Sequence, residues 1–123
     1  MKITSNQIFD QFKSSQIVCI EGEMAFLYGE VIQVIVRRQF CWVRPLLLAK
    51  FEDASTPRTD HIIDLREGSD LLLPLSFFRP AMDTEIIPLI SKLHSIDSSF
   101  QDLHSISQQL NCFIKQVWQA NRE

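Results

Sequence analysis

Glycine is scarce in this sequence and never clustered: Gly22, Gly29 and Gly68 are the only three in 123 residues. Loops that cradle a nucleotide phosphate use grouped glycines to bring backbone N–H groups up to the ligand. Nucleotide-hydrolysing and dinucleotide-dependent enzymes are therefore excluded as readings. Histidine is equally sparse. His61, His94 and His104 fall on a predicted strand and two predicted helices with no H-x-x-x-H or C-x-x-C spacing, whereas a zinc site needs converging ligands. No G-x-S-x-G elbow is present, and the serines gather at predicted helix caps (5, 14, 15, 95, 98 and 99). We expect no cofactor, no metal and no catalysis.

An excess of one charge sign is also missing. Twelve Lys and Arg face fifteen Asp and Glu, a formal net charge of -3, which gives no overall pull toward phosphate backbones. Long apolar runs are missing too. The longest, Val31 to Val36 and Val43 to Ala49, fall far short of the roughly 20 residues that span a bilayer. Residues Met1 to Asn6 turn polar at once, so no export signal and a cytoplasmic location are expected. Cysteine is limited to Cys19, Cys41 and Cys112, widely spaced inside apolar segments, which predicts three buried, reduced thiols.

What is present is the composition of an ordinary folded chain, 46% hydrophobic and 22% charged, and its length suits one domain over residues 1–123. Thr4 and Ser5 can cap a helix over residues 5–14, and the β-branched run Gln16 to Ile20 predicts a first strand. From Ala25 to Arg38, Phe26, Tyr28, Glu30, Ile32, Val34 and Val36 alternate with Leu27, Gly29, Val31, Gln33, Ile35 and Arg37. Period two puts these sets on opposite faces, the first meeting the core and the second half-covered by a helix. Gly29 within the run predicts a bulge.

Arg37, Arg38 and Gln39 form the predicted tip of a hairpin that returns through Phe40 to Arg44. Pro45 is expected to demote the positions after it to an edge or a bend. Residues 52–59 read as a polar loop, residues 61–65 as a strand, 66–70 as a turn with Gly68 available for positive φ, and 71–73 as its partner strand. In the connector after that strand, Phe77 and Phe78 are expected to plug one end of the sheet.

Asp83, Thr84 and Glu85 predict a helix start, with Pro88 in the first turn and an end near His94. Ser98 and Gln101 have capping-box spacing ahead of a last helix striped by Phe100, Leu103, Ile106, Leu110, Phe113 and Val117. The fold class expected is α+β: a curled antiparallel meander of about five strands, an SH3-like or OB-like half-barrel, with a short N-terminal helix and a C-terminal helical pair.

Two acidic groups, Glu21, Glu23 and Glu30, then Asp64, Glu67 and Asp70, sit at predicted turns, where solvated charge is the expectation. The hairpin carries more. Arg37, Arg38 and Arg44 with Trp42 join cationic and aromatic groups, a set that suits a protein contact or the stacking and phosphate neutralisation of single-stranded nucleic acid. It also suits a solvated turn with Phe40 and Trp42 in the core. The acidic net charge ranks protein contact above nucleic acid.

A second contact segment is Leu71 to Pro80, where eight of ten residues are Leu, Phe or Pro, including Phe77 and Phe78. Trp118 and Ile114 widen the stripe of the last helix, as docking on a sheet and on a second copy would require. A non-catalytic protein-interaction module is the reading, its partner another protein or a second copy of the chain.

The run from Asp64 through Leu65, Arg66, Glu67, Gly68 and on to Thr84 and Glu85 resembles segments in a family of small uncharacterised cyanobacterial proteins. The likeness covers about a fifth of the chain and holds no catalytic motif. It implies a cytoplasmic bacterial protein, an accessory or assembly factor, and transfers no site residue.

Overall fold

The computed structural model describes residues 12–51, 61–97 and 101–122. Six antiparallel strands form one open sheet: β1 (Ile17–Glu21), β2 (Ala25–Ile35), β3 (Phe40–Lys50), β4 (Ile62–Asp64), β5 (Leu71–Pro74) and β6 (Arg79–Pro80). Two helices follow, α1 (Asp83–His94) and α2 (Leu103–Ala120). The sheet order is β4-β3-β2-β1-β6, with β5 also on β3. The helix expected over residues 5–14 lies outside the described residues except Phe12, Lys13 and Ser14, which form no helix. The loop expected over 52–59 lies outside them as well. Among the described residues no helix is long and apolar enough to cross a membrane.

Both faces of the sheet are covered. Val18, Ile20, Leu27, Val31, Cys41, Val43 and Leu48 pack with Leu110, Phe113 and Val117 of α2. On the other face Cys19, Tyr28, Leu47 and Ala49 pack with Ile86, Leu89 and Leu93 of α1. The two-set alternation expected along β2 therefore breaks at Ile32, and that of β3 breaks at Leu46, each at a bulge. Tyr28 lies opposite Leu47 and Gly29 opposite Pro45, which leaves Leu46 as an extra residue in β3. Val31 lies opposite Val43 and Gln33 opposite Trp42, which leaves Ile32 extra in β2. An extra residue inverts the parity beyond it. Val31 and Val34 thus share a face, as do Val43 and Leu48. The irregularity expected at Gly29 is there as a register shift, though the extra residue lies across from it in β3.

Pro45 does not demote β3, which runs through it as an inner strand. It sits where the outer partner changes, between Val43 opposite Leu71 and Leu47 opposite Asp64, a gap that asks little of a missing N–H. β4 and β5 are consequently not partners of each other, as expected from sequence, but lie end to end along β3. In the turn between them Gly68 takes no positive φ; its N–H bonds to Leu65 O at 3.1 Å. Gly22 is the glycine that space demands. A Cβ there would stand 2.5 Å from Phe113 Cε1 and 2.8 Å from Ala25 O.

The helix starts also differ from expectation. α1 begins after Met82, whose N–H bonds to Glu85 Oε1 at 2.7 Å, and Pro88 falls in its second turn. α2 is capped by Asp102, not by Ser98: its carboxylate accepts from the N–H groups of His104 and Ser105 at 3.2 and 3.3 Å. Leu110, Phe113 and Val117 of the predicted stripe are buried, while Leu103 is exposed.

Candidate interaction surface

Trp42 and Arg44 alternate with buried Cys41 and Val43 along β3, so they share the sheet face on which α1 packs. α1 covers only the part of that face around Cys19, Tyr28, Leu47 and Ala49. The hairpin end of β2 and β3 stays open. There Trp42 lies opposite Leu72 of β5, and the two neighbours are 37% and 51% exposed. Trp42 is thus on the surface, and the core reading of this residue is set aside.

Asp70, in the turn before β5, organises this patch. Its Oδ2 accepts from Trp42 Nε1 at 3.1 Å, and its Oδ1 lies 3.7 Å from Arg44 Nε. Glu30 stands directly across from Arg44 on β2. Arg37 and Arg38 belong to a 3-10 turn over Val36–Arg38 that closes on Gln39 at φ 57°, and all four residues are exposed. The tip therefore exposes Val36, Arg37 and Arg38 at the hairpin end of β2 and β3.

The other expected contact residues lie elsewhere. Phe78 is buried in the core beneath α2. Phe77 is half-buried and meets Trp118 edge to face at 4.9 Å between centroids, leaving the indole 41% exposed. Phe77 and Trp118 belong to the α2 side, Trp42 to the α1 side. The structure does not bring these residues into one surface.

A polar cluster was missed from sequence. Glu85 in the first turn of α1 accepts at both oxygens, from Tyr28 Oη at 2.8 Å, Arg79 Nη1 at 2.7 Å, Arg79 Nη2 at 3.1 Å and Met82 N at 2.7 Å. Arg79 Nε donates to Glu21 Oε2 at 2.6 Å, and its guanidinium stands 5.6 Å over the Phe26 ring. The Arg79 hydrogen bonds hold the Glu85 carboxyl down at about 2. Burial, with the bond to Glu85, pushes the Tyr28 phenol up, and burial pushes the neighbouring Cys19 thiol up to about 12. The Glu85 carboxylate thus takes four hydrogen bonds from within the fold. A carboxylate so saturated has no free lone pair aimed at a substrate, so the cluster clasps α1 to β1, β2 and β6.

A second clasp corrects the solvated reading for Asp64 alone, since Glu21, Glu23, Glu67 and Asp70 are exposed. Asp64 is only 3% exposed. It accepts from Arg66 N, Nε and Nη2 at 2.8 to 2.9 Å, while Nη2 also reaches Leu93 O at 3.3 Å, near the C-terminus of α1. Burial works to raise the Asp64 carboxyl, but these donors outweigh it and leave the group below its ordinary range.

The thiols divide as well. Cys19 and Cys41 are buried, whereas Cys112 on α2 is exposed, contrary to expectation, because it lies one position off the Phe113 stripe. His94 and His104 are exposed at helix ends. Comparison with family models, with curated proteins and with solved structures returned no match to this chain.

Proposed function

We propose that this chain is a non-catalytic protein-interaction module that meets its partner through the open sheet face at Trp42 and Leu72. The observation that carries the reading is that these two large side chains, register partners on adjacent strands, lie exposed side by side where α1 stops short. Interface anchors are enriched in Trp and Arg, and here Arg44 shares Asp70 with the aromatic while Arg37 and Arg38 are exposed at the same hairpin's tip. The indole is preset by Asp70, which lowers the ordering cost of binding. The resemblance to small cyanobacterial proteins favours an accessory or assembly role in a bacterial cytoplasm.

The same patch supports a second reading, single-stranded nucleic-acid binding, because exposed Trp42 could stack on a base with three arginines nearby. Asp70 and Glu30 rank it second. Both place carboxylates beside Arg44, where a phosphate backbone would need positive potential.

A half-barrel of SH3-like or OB-like shape also has a specific support. From β5 to β6 the order crosses four strand spacings, roughly 19 Å if flat. The chain from Pro74 to Arg79 makes five Cα steps, at most about 18 Å when extended. Leu75–Phe77 instead coil in a 3-10 turn. A curl that brings the two edges toward each other is the shape this short link favours.

The test of function is a paired capture and oligonucleotide titration. Tagged wild-type chain should retain a discrete protein from its native lysate that Trp42→Ala and Leu72→Ser variants lose. Binding to a mixed single-stranded pool that weakens steeply with salt would instead select the nucleic-acid reading.

A further inference from the structure

On the opposite face, and at the opposite end of the β2–β3 pair from Trp42, a groove of about 280 Å³ opens between the sheet and α2. Buried Ala25, Leu48 and Phe113 form its apolar floor, and Lys50, Gln109 and Cys112 stand on its rim. Among the described residues that line it, Lys50 is the only charged one. An apolar floor with a single cation calls for a ligand of matching pattern, an apolar body with one anionic end.

The cation is held in place by neighbours rather than left to wander. Lys50 Nζ donates to Gln109 Oε1 at 2.7 Å, and Gln109 Nε2 donates to Ser105 Oγ at 3.4 Å, one turn earlier on α2. The amide oxygen is thereby turned toward the amine. An ammonium has three donors and no acceptor, and among the described residues this bond uses one of them. Because the acceptor is a neutral amide, it cancels none of the charge, and a carboxylate would bind there by a stronger, charge-assisted hydrogen bond.

Size narrows the ligand further. The groove is roughly twice the 150 Å³ that admits one benzene in a dry cavity. It is large enough for a short aliphatic chain. We propose that it binds a medium-chain aliphatic carboxylate, with the chain against Ala25, Leu48 and Phe113 and the carboxylate on Lys50.

Cys112 supplies the readout, since it is the exposed thiol and lies on the rim, while Cys19 and Cys41 are buried. The experiment follows alkylation of Cys112 by neutral iodoacetamide in the full chain, by mass spectrometry, across a titration of octanoate below its micelle concentration. Octanoate is expected to slow alkylation saturably by at least threefold. Lys50→Met should abolish this protection, Lys50→Arg should keep it, and octan-1-ol should give less than a third of it. Far-UV spectra check that both variants are folded. No saturable slowing by octanoate, equal protection by octan-1-ol, or protection that survives in Lys50→Met would each overturn the proposal.

Discussion

Tyr28 donates its phenolic hydrogen to Glu85 Oε2 across 2.8 Å, joining the middle of β2 to the first turn of α1. The same carboxylate takes two bonds from Arg79, so three elements meet on one side chain. Tyr28→Phe removes one donor and leaves the ion pair, and is expected to cost about 1 kcal/mol. Glu85→Ala strips Arg79, Tyr28 and Met82 of their acceptor together, and is expected to cost about 2 to 3 kcal/mol, limited by the part exposure of the pair. Urea unfolding midpoints measure both. Equal costs for the two variants would contradict the clasp.

The clasp also sets an acid response. Glu85 titrates at about 2 in the folded chain against 4.5 for a free glutamate. A depressed folded value means that its contribution is complete above pH 4.5 and fades as pH falls toward 2. Asp64 acts in the same direction. Wild-type stability should therefore drop through this window, and Glu85→Gln should flatten the drop without abolishing it. An unchanged slope in Glu85→Gln would refute the assignment.

Thiol chemistry should separate the three cysteines. Burial pushes Cys19 up to about 12 and Cys41 up to about 11, so neither forms thiolate near neutrality and neither is reachable. Native protein at pH 8 should release one equivalent of colour from an aromatic disulfide reagent, and three in urea. Two fast equivalents in the native state would contradict the packing.

Gly22 should tolerate no side chain. The Cβ of Gly22→Ala would press on Phe113 of α2 and on the Ala25 carbonyl, and overpacking of this kind costs about 1 to 3 kcal/mol. Adding Phe113→Leu should recover part of that loss, because it removes one of the two obstructions. A neutral Gly22→Ala would show that α2 packs less closely at the β1–β2 turn.

Much of the secondary structure was legible because its signals are local. A β-branched run marked β1, period two marked β2 and β3, and helical spacing marked Leu110, Phe113 and Val117. The Arg37 and Arg38 turn was legible as a polar hairpin tip, whereas the alternation alone left Trp42 open between surface and core, and its exposure came from the structure. Gly29 signalled the irregularity opposite Leu46, but the bulge at Ile32 did not show, since an extra residue there leaves every neighbouring residue type unchanged and inverts only the facing of the positions beyond it. The end-to-end placement of β4 and β5 hid for a related reason: a short turn between two apolar runs looks like a hairpin whichever strand they pair with. Asp70 and Leu72, which complete the Trp42 patch, became visible only through that pairing. The Glu85 cluster joins residues as much as 58 positions apart, Glu21 and Arg79, and no spacing rule links them.

The central claim is that the Trp42 and Leu72 face meets a protein. The most direct measurement places a photo-crosslinking amino acid at position 72 and irradiates the chain in its native cells. One discrete protein adduct is predicted, lost when Trp42→Ala is introduced alongside. No adduct at position 72, or adducts to nucleic acid in its place, would contradict the claim.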